Sequence, residues 1–266
     1  MIANILSIAG SDPSGGAGIQ ADLKTISALG CYGMAVITAL TAQNTQGVTG
    51  VHIPPAEFIG QQIDAIFADI RVDAVKIGML ASREIAEAVA DRLKAHRAKN
   101  IVLDPVLVAT SGDSLGAPDV VEALRKHLFP IATLITPNVP EAERLSGFST
   151  GTDTPGLARV ARDLVETGAR AVLVKGGHHI GANAEDVLFF DGQSQIYSAP
   201  RVDTENTHGT GCTLSSAIAC YLAKGHELRD AVGAAKGYLT QALIAADALD
   251  VGHGHGPVHH FHAWWK

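Results

Sequence analysis

Short apolar runs alternate with amphipathic stretches along most of this chain, and that alternation constrains its fold more than any other feature. The runs at Ile5–Ala9, Ala35–Ala39, Ala74–Ile77, Ile101–Leu103, Thr133–Ile135 and Ala171–Lys175 are aliphatic or β-branched and are closed by Gly, Pro, Asp or Asn. Apolar runs that lack a polar face suit strands buried on both sides. Between them lie helical spacings. Ala158, Ala161, Leu164 and Val165 follow Thr154-Pro155, which reads as an N-cap and first helical residue. Ser82 opens a helix with Ile85, Val89 and Leu93 on one face, and Leu228–Ala248 repeats apolar residues at helical intervals. This order predicts a mostly parallel sheet with helices on both faces. DVLFFDGQSQIY, from Asp186 to Tyr197, departs from the pattern: it predicts an antiparallel hairpin turning at Asp191-Gly192, near a sheet edge. No repeat or linker divides the chain, so residues 1–266 read as one domain.

Composition narrows the function. With 47% apolar residues and a formal net charge of -7, the chain is neither disordered nor a broad nucleic-acid binder. Three widely spaced cysteines exclude a disulfide framework and fit a reducing compartment. No stretch of about eighteen apolar residues occurs, so no membrane span is expected. The N-terminal apolar run lacks a basic segment before it and reads as a strand. A cytoplasmic enzyme or small-molecule binder is expected.

Ligands of open parallel sheets sit beyond the carboxyl ends of the strands, which directs attention to the polar residues that follow each run. GSDPSGGAGIQAD, Gly10 to Asp22, joins a strand to a helix and offers bare backbone at a helix start. It lacks the Gly-Lys-Ser/Thr of a Walker loop. Its Gly16-x-Gly18-x-x-Ala21 mimics a dinucleotide fingerprint, but lies too far past the strand and has no acidic partner after the next one. THGTGCTLSS, from Thr207, places Gly209 and Gly211 ahead of an apolar helix whose N-terminus would attract an anion. Cys212 at that positive end should have a lowered pKa; a small buried thiol is the alternative, and the glycine-rich helix entrance favours the functional reading. Cys220 reads as an inert core thiol.

Asp104 ends a strand, and Asn138 and Glu141 are three apart at a helix start. Such oxygen donors suit magnesium held partly through water, with helix capping by Asn138 and a solvated Glu141 as the alternative. Lys175, before Gly176 and Gly177, could meet a phosphate or simply reach solvent. Five of the twelve histidines fall in the last fourteen residues, where glycines and Pro257 argue against a preorganised metal site and for a solvated or packed tail.

Taken together, IAGSDPSGGAGIQADLKT, ALTAQNTQGV, VKIGML, VLDPVLVATSG, ITPNVPEAE, LVKGGH, THGTGCTLSSAIA and GPVHHFH run almost end to end in the order of a known family. The chain closely resembles the bacterial hydroxymethylpyrimidine/phosphomethylpyrimidine kinases of thiamine biosynthesis, in the ribokinase-like superfamily. The resemblance implies a three-layer α/β/α sandwich with a small edge flap. It implies an ATP-dependent kinase acting twice, on a pyrimidine alcohol and then on its monophosphate. Gln43 would bind the aminopyrimidine ring, and Asp22, Met79 and Val106 would line the same pocket. Gly209, Thr210, Gly211 and Cys212 would hold the transferred phosphoryl group. Lys175, Thr210 and Lys236 would face the nucleotide, and Asp104, Asn138 and Glu141 would organise Mg2+. Sugar kinases of the superfamily carry aspartate as general base where Cys212 stands, so a thiolate base is the corresponding expectation. A homodimer is also expected, and a monovalent cation is compatible with the pattern. A pyridoxal or pyridoxine kinase on the same scaffold is the alternative.

Overall fold

Among the described residues, nine strands join in one sheet. The computed structural model describes residues 1–107, 118–149, 153–177 and 181–265. The strands are β1 (Asn4–Ser11), β2 (Tyr32–Asn44), β3 (Gly47–His52), β4 (Ala74–Ile77), β5 (Ile101–Leu103), β6 (Leu134–Ile135), β7 (Ala171–Lys175), β8 (Asn183–Phe190) and β9 (Gln193–Pro200). Their order across the sheet is β3-β2-β1-β4-β5-β6-β7-β8-β9. The strands from β2 through β7 in that order are parallel, and antiparallel pairing appears only at the two edges. The predicted hairpin turns at Asp191-Gly192, between β8 and β9.

The helices are α1 (Gly18–Ala28), α2 (Ala56–Asp69), α3 (Arg83–Ala95), α4 (Pro118–Ala123), α5 (Val139–Ser146), α6 (Thr154–Glu166), α7 (Thr210–Ala223) and α8 (Leu228–Ile244). Two separate apolar cores show the layering. Leu6, Ile101, Leu103, Val172 and Val174 pack with α2 to α6, whereas Ile5, Val102, Ala171 and Leu173 pack with α1, α7 and α8. Adjacent strand residues thus enter opposite cores, which is why those runs needed apolar residues at every position. The α/β/α sandwich is as expected. Ser82 caps α3 by accepting from Ile85 N. The cap of α6 is one residue earlier than expected: Asp153 accepts from Gly156 N, moving Thr154 and Pro155 into the first turn.

The histidine-rich tail packs on the body. His259 N donates to Ala242 O at 3.0 Å, Tyr238 Oη to His260 O at 2.7 Å, and Trp264 Nε1 to Ala28 O at 3.0 Å. Burial, aided by Lys24 and His259, pushes the His260 imidazole down from 6.5 to about 3. Below about pH 6.5 the unfolded chain binds a proton that native His260 refuses, so this residue's contribution to stability is lost as pH falls toward 3. Buried Glu141, raised from 4.5 to about 7, works in the opposite direction between those values. Comparison with His260→Gln isolates the histidine. The urea midpoint of the wild type, relative to that variant, should drop between pH 7 and pH 5, and a constant difference would refute the assignment.

Candidate active site

The carboxyl ends of β1, β2, β5 and β7 and the start of α7 converge on one edge of the sheet. Asp104 follows β5 and Lys175 ends β7; their charged groups meet at 2.7 Å. Thr136 Oγ1 also donates to Asp104 Oδ1, at 3.1 Å. Burial alone would raise the Asp104 pKa, but Lys175 and Lys76 hold it below the usual carboxylate value. Glu141 lies 4.0 Å from Lys175 Nζ. For this carboxyl burial dominates, opposed by Lys175 and reinforced by Asp104, and its pKa rises to about 7. A Cβ placed on Gly211 would lie 3.1 Å from Lys175 Nζ and 3.4 Å from Asp104 Oδ2, so the first turn of α7 abuts this ion pair. Helix N–H groups, a lysine and two carboxylates therefore share one small volume. Anions are drawn to the helix end and the lysine, and a hard cation to the carboxylates.

Asn138 and Glu141 form a capping box on α5: Asn138 Oδ1 accepts from Glu141 N at 2.9 Å, and Glu141 Oε2 from Asn138 N at 2.8 Å. Asn138 is engaged as the cap, while Glu141 is buried rather than solvated and faces Lys175 with Asp104. Among the described residues no group of three or more His, Cys, Asp or Glu is arranged to hold a metal ion. Two carboxylates that already bracket an ammonium do fit Mg2+ bound largely through water and phosphate oxygens.

Cys212 in α7 also departs from expectation. It is half-buried, and Gly18 N–H donates to its sulfur. Burial pushes its thiol up to about 11 despite Lys76, with Asp22 and Asp104 adding to the rise, so the resting group is a thiol and not the helix-activated thiolate. Asp22, expected on the pocket wall, is fully enclosed. Both its oxygens accept from Lys76 Nζ at 2.8 Å, Oδ2 from Ser7 Oγ at 2.6 Å and Oδ1 from Ser216 Oγ at 2.8 Å. It braces α1 against α7 and β4. Lys236, on α8, pairs with Asp186 at 2.7 Å. Asp186 in turn accepts from Gly176 N at 3.0 Å, so Lys236 acts on the backbone that follows Lys175.

Gln43 lies in the last residues of β2 with its amide beside Thr41 and His208. Met79, half-buried after β4, accepts from Thr38 Oγ1 at 2.7 Å and leaves its methyl against Gly10. Val106 is half-buried two residues beyond Asp104. Two functional candidates escaped the sequence reading. His208 was passed over within THGTGC, yet it binds Asp12 Oδ2 at 2.8 Å. Lys76 was hidden inside the apolar strand AVKI. The two glycine-rich loops touch as well: Gly209 has φ +79° and a Cβ there would run into the Gly16 carbonyl, so both loops need their glycines.

The family model described as phosphomethylpyrimidine kinase matches residues 12–259. The chain belongs to the phosphomethylpyrimidine kinase family. It is 57% identical, over the whole of both chains, to the hydroxymethylpyrimidine/phosphomethylpyrimidine kinase of Rhizobium meliloti. It is 51% identical to the thiamine biosynthesis bifunctional protein of Geobacter sulfurreducens, covering 97% of this chain and 52% of that one. Among solved structures, an ADP complex of Bacillus subtilis pyridoxal kinase superposes with a TM-score of 0.92 at 36% identity, covering both chains entirely. The kinase therefore has the expected ribokinase-like fold. Among its described residues, no helix is long and apolar enough to cross a membrane.

Proposed function

We propose that this kinase transfers the γ-phosphoryl group of ATP to the hydroxymethyl oxygen of 4-amino-5-hydroxymethyl-2-methylpyrimidine, and then a second phosphoryl group to the monophosphate, as part of thiamine biosynthesis. The observation that carries this reading is the meeting of Lys175, Asp104 and Gly211 at the start of α7, with β1 and β4 between Asp104's strand and that of Gln43. A phosphoryl group passing between two oxygens needs neutralisation of its equatorial charge and alignment, and little covalent help. Lys175 and the N–H groups of Gly209, Thr210, Gly211 and Cys212 supply the first. Gln43, Met79 and Val106 supply the second by holding the ring. Asp104 and Glu141 would hold Mg2+, which neutralises phosphate charge when bound.

A homodimer in the cytoplasm fits the same reading, since β2 and β3 expose Tyr32, Leu40 and Val51 at one sheet edge. The likeness to pyridoxal kinase favours a second reading, phosphorylation of a pyridine alcohol. Incubation of the pure protein with Mg-ATP and each alcohol, with products resolved by chromatography, tests both. Pyrimidine monophosphate followed by diphosphate is expected. A higher kcat/KM for pyridoxal than for the pyrimidine would replace the first reading by the second, and no product from either alcohol would overturn both.

A further inference from the structure

The side chain that joins the two glycine-rich loops also touches the proposed ring-binding amide. Asp12 Oδ1 accepts from Ser14 N at 2.9 Å and Ser14 Oγ at 2.7 Å, while Oδ2 accepts from Ala17 N at 2.8 Å and faces His208 Nε2 at 2.8 Å. Asp12 and His208 are both buried, and the imidazole lies against Gly16, where a Cβ would collide with it. With a carboxylate as its partner, His208 Nε2 carries the proton.

Hydrogen-bond accounting then determines Gln43. Thr41 Oγ1 has one proton, which it gives to Ser11 O at 2.8 Å. Toward the Gln43 amide, 3.2 Å away, Thr41 can therefore only accept, so nitrogen must face it. The amide oxygen then turns to His208 Nε2, at 3.5 Å, whose proton is shared between Asp12 and Gln43. The two ends of the amide are nearly isosteric, and this orientation pairs donors with acceptors where the opposite one sets two donors facing each other. It leaves one Gln43 N–H and one oxygen lone pair for a ligand. A ring nitrogen accepts the first and an adjacent exocyclic amine donates to the second.

We propose that the Asp12–His208 pair orients the Gln43 amide and so makes the pocket selective for a ring that carries an amine beside a ring nitrogen. This rests on the pyrimidine-kinase reading above, with His208 as a positioning residue. The pair also ties ring selection to the phosphoryl site, because His208 directly precedes Gly209.

The test compares the aminopyrimidine alcohol with its analogue in which hydrogen replaces the amine, both with Mg-ATP. In Asp12→Asn, the pair loses its charge and the new NH2 must face the N–H of either Ser14 or Ala17, which loosens the hold on His208 Nε2 and on the donor it presents to Gln43. In His208→Phe, the ring shape stays and the donor is lost. Each variant should raise KM for the aminopyrimidine alcohol about tenfold, the cost of about one hydrogen bond, and narrow the kcat/KM ratio between the two alcohols by the same factor. KM for ATP should stay within about twofold, and His208→Gln, which keeps a donor near Asp12, should recover part of the ratio. A structural role alone would slow both alcohols equally, and an unchanged ratio in folded variants would overturn the proposal. A wild type that phosphorylates neither alcohol would overturn the underlying reading instead.

Discussion

At pH 9.5, replacing Cys212 by alanine should slow phosphoryl transfer to the pyrimidine alcohol by about 10²–10³-fold, and transfer to the monophosphate by less than about tenfold. The two steps differ in their nucleophile. An alcohol must lose a proton as it attacks, whereas a phosphate monoester is already anionic and needs only positioning and charge neutralisation. The structure adds a pH dependence to this contrast. Because burial raises the Cys212 thiol to about 11, the thiolate is scarce at pH 7 and grows about tenfold per pH unit up to that value. The alcohol penalty should therefore shrink to less than about fivefold at pH 7, and the wild-type kcat/KM for the alcohol should climb with pH in a way the variant's does not. Single-turnover rates on both substrates from pH 7 to pH 10 would decide it. Parallel losses at every pH would remove Cys212 as the base.

The Lys76→Met variant should lose about 3–5 kcal/mol of stability, enough to lower the melting temperature by about 10 °C. Lys76 and Asp22 are both wholly inaccessible to solvent, and Asp22 holds the pair in place with Ser7 and Ser216. Removal of the lysine strands a carboxylate in the core beneath α7. A second change, Asp22→Asn, removes that stranded charge and should restore a large part of the loss, giving strong non-additivity in a double-mutant cycle. Independent, additive losses in thermal unfolding would show that the two charges are not coupled.

The contrast between what could and could not be read beforehand follows from the range of each interaction. The limits of β4, β5 and β7 coincide with apolar runs because strands between two cores have no polar face to blur their ends. β3 was missed: GVTGVH is largely exposed, contains two glycines, and is a strand through its pairing with β2. Family motifs brought attention to Lys175, Asp104 and Glu141, which the fold does bring together. The pairing of Asp22 with Lys76 crosses 54 residues, and that of Asp12 with His208 crosses 196, so neither leaves a local pattern. The shift at Cys212 was misjudged for a similar reason. A helix terminus is visible in sequence, whereas the desolvation that outweighs it arises only when α1 and β4 close around the sulfur.

The packed tail has a consequence for how the enzyme is made. His208 N donates to Gly256 O at 3.0 Å, and Gly254 N donates to Thr45 Oγ1 at 3.1 Å, so residues near position 255 stitch together the loop before α7 and the turn after Gln43. During synthesis, the sheet from β1 to β9 can assemble while that stitch is still inside the ribosome. The nascent chain then passes through a stage with a completed scaffold and an unfinished catalytic edge, which closes only once residues 254–256 have emerged.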